Sequence, residues 1–192
     1  MLPVKGGITL ESILETAKKL ISGSIREDSI VADFTMGNGH DTLFLAGLVP
    51  KGKVYAFDIQ PQALENTRAL LTQEGMEDRV TLILESHELA NRHIPCPIDA
   101  GMFNLGYLPY GDHAVTTQLS TTKLAVERAV AMLSPKGCLL IVVYPGHPEG
   151  AREGEYLTQY AAGLDKKRYD ALLHRLINVP ECPFILAIWR RK

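Results

Sequence analysis

The sequence predicts an α/β fold: a largely parallel sheet, helices on both of its faces, and an antiparallel hairpin at the end. Three observations predict it. Short apolar runs alternate with segments of helical spacing through most of the 192 residues, which is the pattern of a parallel sheet covered on both faces. The first apolar run stops at a glycine-containing turn, VADFTMGNGHDT, and a helix follows. The last two strand-like runs are joined only by Val-Pro-Glu-Cys-Pro, a link too short for a crossover helix, so that pair must be antiparallel.

The elements follow in order. Thr9 caps a helix whose Leu10, Ile13, Leu14, Ala17, Leu20 and Ile21 keep helical spacing. Ser29 to Phe34 reads as a buried strand, and Asp41 to Val49 as a helix that stops near Pro50 and Gly52. Lys53 to Ile59 is a second strand. Pro61 then opens a helix at a position where its missing N–H costs nothing, with Ala63, Leu64, Leu70 and Leu71 on one face. Arg79 to Glu85 and Asp99 to Leu105 are the third and fourth strands. Leu119 to Leu133 is helical, with a stripe of Val126, Ala129, Val130 and Leu133. Gly137 to Tyr144 is a fully apolar strand, followed by a helix carrying Leu157, Tyr160, Ala161 and Leu164. Tyr169 to Asn178 and Phe184 to Arg190 form the hairpin. The expectation is five strand–helix units and a hairpin, in one domain over residues 1–192.

Composition excludes several classes. Hydrophobic content of 46% and charged content of 22% belong to an ordinary globular chain. A net charge of −2 argues against a uniformly basic protein, although a local patch suffices for nucleic acid. Lys166-Lys167-Arg168, Arg152 and Arg190-Arg191-Lys192 are the candidate phosphate partners. Cys96, Cys138 and Cys182 are odd in number and lack CxxC spacing, which favours reduced thiols over disulfides or a zinc site. No stretch reads as a signal peptide or a membrane span, so a cytoplasmic location is expected.

The turn raises the functional question. Glycine tolerates positive φ and admits close approach of backbone, and helix N-termini present free N–H groups. Gly37 and Gly39 therefore suit either a tight connection or a ligand floor. Asp58 ends the second strand nineteen residues beyond Gly39, where a carboxylate can accept both hydroxyls of an adenosine ribose. The dinucleotide pattern GxGxxG fails at Thr42, and no GK[ST] follows. Together with the terminal hairpin, these features resemble the class I S-adenosylmethionine-dependent methyltransferases. The resemblance implies a Rossmann-like seven-stranded sheet in spatial order 3-2-1-4-5-7-6, the last strand antiparallel, and S-adenosyl-L-methionine as cofactor. It implies that Asp33, Met36, Gly37, Asn38, Gly39, His40, Asp41 and Thr42 surround the methionine part. Asp58 would hold the ribose, Ile59 and Gln60 would lie beside the adenine, and Ser86 and His87 would approach its ring. Asn104 and Leu105 complete the cofactor set. His87 reads equally well as a surface histidine.

The fourth strand ends in NLGYLPYGDH, Asn104 to His113. NLGY resembles the Asn-Pro-Pro-Tyr motif of methyltransferases that act on amino groups. In-line methyl transfer needs a neutral nitrogen whose lone pair is aimed at the methyl carbon. An Asn oxygen can accept the amine's N–H and fix that direction, and an aromatic such as Tyr107 can face the positive charge that develops. Asn104 and Tyr107 are thus the candidate catalytic residues. Tyr107, Pro109, Gly111, Asp112, His113 and His147 are the candidate substrate residues. Asn104 as a strand-end residue, Tyr107 as a core aromatic and His147 as a loop residue are the structural alternatives.

DFTMGNGHDTLFLA, YAFDIQ, SHELA, NLGYLPYGD, Thr121-Thr122 and YPGHPEG occur in this order. The set resembles the tRNA 5-aminomethyl-2-thiouridine methyltransferases of Gram-positive bacteria, formerly called rRNA methylases, over nearly the whole chain. That resemblance implies N-methylation of the 5-aminomethyl group on a tRNA wobble uridine, an anticodon-loop partner and a homodimer. Tyr110-Gly111-Asp112-His113 departs from the usual Gly-Gly-Asp-Lys, and Trp189-Arg190-Arg191-Lys192 from a simpler ending. Competing readings are a methyltransferase for rRNA or a small amine, an NAD-linked dehydrogenase, and a cofactor-binding protein without catalysis.

Overall fold

The computed structural model describes residues 10–95, 97–108 and 115–192. Its strands are β1 (Ile30–Asp33), β2 (Lys53–Asp58), β3 (Val80–Leu84), β4 (Ile98–Asn104), β5 (Leu133–Val143), β6 (Tyr169–His174) and β7 (Phe184–Arg190). The helices are α1 (Leu10–Ser22), α2 (His40–Leu48), α3 (Pro61–Gln73), α4 (Leu119–Met132) and α5 (Pro148–Ala162). All seven strands form one sheet in the order β3-β2-β1-β4-β5-β7-β6. β7 runs antiparallel to both β5 and β6, while the pairs among β1 to β5 are parallel. This is the expected α/β architecture.

Alternation along the strands explains the two layers. In β5, Leu140 and Val142 face one side and Leu139, Ile141 and Val143 the other, as a period of two requires. The first side is covered by Ile13, Ala17 and Ile21 of α1, Leu45 and Ala46 of α2, and Leu71 of α3. The second is covered by Ala125, Val126, Ala129 and Val130 of α4 and by Leu157 and Ala161 of α5. Phe34, just after β1, stacks on Phe103 at 4.4 Å and on Phe57 at 6.0 Å between centroids. Each such pair contributes ~0.5–1.5 kcal/mol beyond its area, and together they anchor the start of the glycine turn. Cys138 is buried, and burial pushes its thiol up to about 12.

Three expectations are corrected. Among the described residues the third strand–helix unit has no α-helix: a 3-10 helix, His87–Arg92, lies between β3 and β4. Pro95 and Pro97 follow at once, and proline cannot continue a helical hydrogen-bond ladder. The sixth strand stops at His174 rather than Asn178, because its partner begins at Phe184 and His174 already pairs with Ile185. The fifth strand starts at Leu133, which pairs with Ile98, so no loop separates it from α4. The Thr9 cap and Cys96 lie outside the described residues. Among the described residues, no helix is long and apolar enough to cross a membrane.

Candidate functional site

The parallel strands end together at one edge of the sheet. There β1 lies between β2 and β4, the switch point at which open α/β sheets take ligands. The turn from β1 into α2 occupies this place. Gly37 has φ +50° and Gly39 φ +86°. Gly39 is left-handed where α2 begins, and its need for glycine has a second cause. A Cβ there would lie 2.9 Å from both Cα and Oγ1 of Thr67. α3 holds the turn from behind: Thr67 Oγ1 donates to the Gly37 carbonyl (3.0 Å), and Asn66 Nδ2 to Asn38 Oδ1 (2.8 Å). The free N–H groups at the start of α2 then face the turn, with the positive end of the helix dipole.

Asp33 braces this arrangement from inside. It is 1% exposed. Its Oδ1 accepts from the Thr35 N–H at 3.1 Å, and its Oδ2 from Thr42 Oγ1 at 2.6 Å. Burial, and then the charge of Asp41, push its carboxyl up to about 7. Met36 is buried too, with its N–H on the Phe57 carbonyl. Asp33, Met36 and Thr42 thus shape the turn from within, while His40 is exposed at the head of α2.

Asp58 reaches the turn from β2. Its Oδ2 accepts from Gly37 N–H and its Oδ1 from Gln60 N–H, both at 3.0 Å. The Ile59 N–H and the Gln60 side chain also bear on this carboxylate, so Asp58 stands as a half-buried acid held by several donors at the end of β2. Burial raises its pKa, against the backbone donors. Ile59 beside it is 58% exposed, an apolar face unusual at a strand end. Ser86 precedes the 3-10 helix. His87 is not a surface histidine: Nδ1 sits 3.2 Å from the Phe34 carbonyl, and Nε2 is buried without a partner. Burial pushes its pKa down to about 4. A carbonyl only accepts, so Nδ1 carries the proton and Nε2 is left as an acceptor.

β4 brings in Asn104. Its N–H donates to Thr35 Oγ1 at 2.8 Å and its Nδ2 to Asp41 Oδ2 at 3.3 Å, while Oδ1 is buried and unpartnered. Asp41 only accepts, so the amide is oriented with Nδ2 toward it. Lys18 of α1 forms an ion pair with Asp41 at 3.3 Å. Tyr144, just past β5, also meets this cluster: burial and then the Asp41 charge push its phenol up to about 12, against a hydrogen bond with Asn104. Lys18, Thr35, Thr67 and Tyr144 escaped the reading of the sequence. Only the pairing of Asn104 with Val142 brings Tyr144 alongside. Leu105 is buried in the core, with its N–H on the Val142 carbonyl.

Tyr107 is 45% exposed, and its ring lies 6.2 Å from that of His147. His147 caps α5, its Nδ1 accepting from Gly150 N–H at 3.1 Å. A neutral ring then carries its proton on Nε2, which is buried and unpartnered. Pro109, Gly111, Asp112 and His113 lie outside the described residues. The candidate phosphate partners do not share an edge. Cys138 pairs with Trp189 and Tyr169 with Arg190, so Lys166–Arg168 and Arg190–Lys192 sit at the end of the sheet opposite Asn104. Arg191 pairs with Asp170, and Arg190 donates to the Leu133 carbonyl. A groove of about 600 Å³ between α5 and the β6–β7 link is lined by Ile177, Val179 and Phe184 among others, and by none of the candidate site residues.

A family model described as "Putative rRNA methylase" matches residues 54–190. The chain is 34% identical over 179 residues to the chloroplastic tRNA (mnm(5)s(2)U34)-methyltransferase of Arabidopsis thaliana, covering 88% of this chain and 65% of that one. It therefore spans about two thirds, 65%, of that curated relative's length. A putative rRNA methylase from Clostridium thermocellum superposes with a TM-score of 0.90 at 38% identity, covering 95% of this chain and 99% of that one. A putative methyltransferase from Streptococcus mutans, solved in complex with SAH, gives 0.86 at 37% identity over the same shares. With the sheet order and the glycine turn, these matches show that the chain belongs to the rRNA methylase family of class I S-adenosylmethionine-dependent methyltransferases.

Proposed function

We propose that this protein transfers a methyl group from S-adenosyl-L-methionine to the 5-aminomethyl group of a tRNA wobble 2-thiouridine, giving 5-methylaminomethyl-2-thiouridine. The observation that carries the reading is Asn104 Oδ1, a buried acceptor with no partner at the end of β4. Its amide is oriented by Asp41. The Arabidopsis relative, by its name, acts on the same wobble position.

The residues present fit the cofactor. The turn Gly37–Gly39 and the N–H groups of α2 suit a carboxylate, the Asp58 carboxylate at the end of β2 suits the hydroxyls of a ribose, and exposed Ile59 suits one face of an adenine. His87 Nε2, fixed as an acceptor, suits the adenine amine. Ser86 and Gln60 complete this rim. When bound, the cofactor supplies an electrophilic methyl on a sulfonium.

The chain's own residues then position the amine. Asn104 Oδ1 accepts one N–H of the neutral amine, which leaves the nitrogen lone pair aimed at the methyl carbon. As the N–C bond forms and the S–C bond breaks, positive charge moves to nitrogen. The ring of Tyr107 and the carboxylate of Asp41 oppose that charge. The product ammonium then gives its proton to solvent water. His147 is not the base, because its Nδ1 is occupied by Gly150 N–H; its Nε2–H is a donor. Asp112 and His113 stay in the proposal as substrate-side groups, with Pro109 and Gly111. An anticodon loop as partner, a homodimer and a cytoplasmic location belong to the same reading.

The test is methyl transfer from labelled cofactor to tRNA bearing 5-aminomethyl-2-thiouridine, beside the same tRNA without the aminomethyl group. We expect label only in the first, and a loss of about a hundredfold or more in Asn104→Ala with SAH affinity retained. Equal label in both tRNAs would overturn the amine acceptor. The description of the family favours rRNA as the second reading, and label appearing in ribosomal RNA would establish it.

A further inference from the structure

Two described stretches lie between β4 and α4: residues 105–108, which follow β4 and carry Tyr107, and residues 115–118, which lead into α4. They are tied to each other and to α5. Gly106 N–H donates to Thr117 Oγ1 at 3.0 Å, and Thr117 N–H returns to the Gly106 carbonyl at 2.9 Å. The Thr117 oxygen is thus an acceptor for Gly106, and its single hydroxyl proton is left for another partner. That partner is Glu153 Oε2, at 2.9 Å. The other oxygen, Oε1, accepts from Thr122 Oγ1 of α4 at 2.6 Å. One turn earlier, Glu149 Oε1 accepts from Leu119 N–H, where α4 begins, at 2.8 Å.

Glu153 is fully buried, and its hydrogen bonds go to Thr117 and Thr122, neither of them a residue of the proposed cofactor rim. A buried carboxylate is costly unless its lone pairs are used, and here Oε2 is used by the Thr117 hydroxyl beside Gly106 and Oε1 by the Thr122 hydroxyl of α4. α5 itself is fixed to the sheet, with Gly154 packed against Phe184 and Val143. We infer that Glu153 is a positioning residue: through Thr117 it fixes Gly106, and so the placement of Tyr107 and the amine it faces. Gly106 has φ +127°, a conformation with wide freedom, and the Thr117 bond pair supplies the restraint that glycine itself lacks. The adjoining bridge between Tyr107 and Thr116 extends the same register. Hydrogen bonds in such a chain polarise one another, so the carboxylate strengthens the hold of Thr117 on Gly106.

The inference rests on the proposed role of Tyr107 and Asn104, and Thr122 makes it testable. Thr117→Val and Thr122→Val each remove one hydroxyl from the same carboxylate, but only Thr117 bonds Gly106. We expect Thr117→Val and Glu153→Gln to lower kcat for the tRNA about ten- to hundredfold. SAH binding should stay within about twofold, and Thr117→Ser should restore the rate. Thr122→Val should lower the melting temperature comparably and leave kcat within about threefold. Equal losses of kcat in both valine variants would reduce Glu153 to a structural group and overturn the inference.

A second readout needs no acceptor. Amide exchange at Gly106 should quicken about tenfold in Thr117→Val and Glu153→Gln and not in Thr122→Val. An unmoved Gly106 amide would overturn the tether. If the wild-type enzyme leaves the tRNA unlabelled while Gly106 exchange responds as expected, the acceptor reading falls and the tether stands.

Discussion

At Asp33 the folded chain holds a carboxyl whose pKa is about 7, raised from 3.8 by burial and by the charges of Asp41 and then Asp58. The folded state therefore binds this proton more tightly than the unfolded state does. Stability contributed by the protonated carboxyl is present below pH 4 and declines as pH rises from about 4 to 7. The decline is on the order of 2–4 kcal/mol, since each tenfold difference in proton affinity is worth about 1.4 kcal/mol. Asp33→Asn keeps the shape: its oxygen can accept Thr35 N–H, and its amide can donate to Thr42. We expect the variant to lose less stability than the wild type between pH 5 and 8, and to be the more stable of the two at pH 8. Urea unfolding across that range measures it. A constant deficit at every pH would mean that the charged form is the native one.

The element scale explains why α2 starts where it does. Gly39 is left-handed and abuts Thr67 of α3, whereas Gly47, within α2, has nothing within 4 Å of an added Cβ. Gly39→Ala should cost ~1–3 kcal/mol through strain and contact and weaken SAH binding. Gly47→Ala should be neutral or stabilise by up to ~1 kcal/mol. Thermal unfolding and calorimetry compare them, and similar effects at both positions would refute the bracing role of α3. The glycine turn was legible in the sequence because strand, turn and helix are contiguous there. Its support from Thr67 and Asn66 was not, because α3 meets the turn only after β2 has paired with β1. Asp58 was legible from its spacing to Gly39. Tyr144 and Lys18 were not, since they join Asn104 through the β4–β5 pairing and the packing of α1. The absent third helix could have been read from Pro95 and Pro97, which leave no room for a long helix before β4.

Viewed across the whole molecule, charge is divided between the two ends of the sheet. From the level of Val142, beside Asn104, to that of Cys138, beside Trp189, is four residues, ~13 Å at the rise of a strand. Lys166–Arg168 and Arg190–Lys192 lie beyond that distance from the edge bearing Asn104. Arg152, in the second turn of α5, and Arg175, just past the end of β6, lie at the Asn104 edge and are exposed. An RNA loop presented to Asn104 on the same subunit meets Arg152 and Arg175 before it can meet the basic tail. If the proposed tRNA is the ligand, its affinity falls with salt in proportion to the phosphates neutralised. Removing both charges in Arg152→Gln/Arg175→Gln should flatten the salt slope by ~0.7–0.9 for each phosphate no longer neutralised. Lys166→Gln/Lys167→Gln should leave the slope of a monomeric complex unchanged. Filter binding from about 50 to 200 mM salt, with sedimentation on the same samples, reads both quantities. A slope that falls only with the lysine pair, and only where sedimentation shows a dimer, would place the RNA across two subunits, one supplying Asn104 and the other the basic tail.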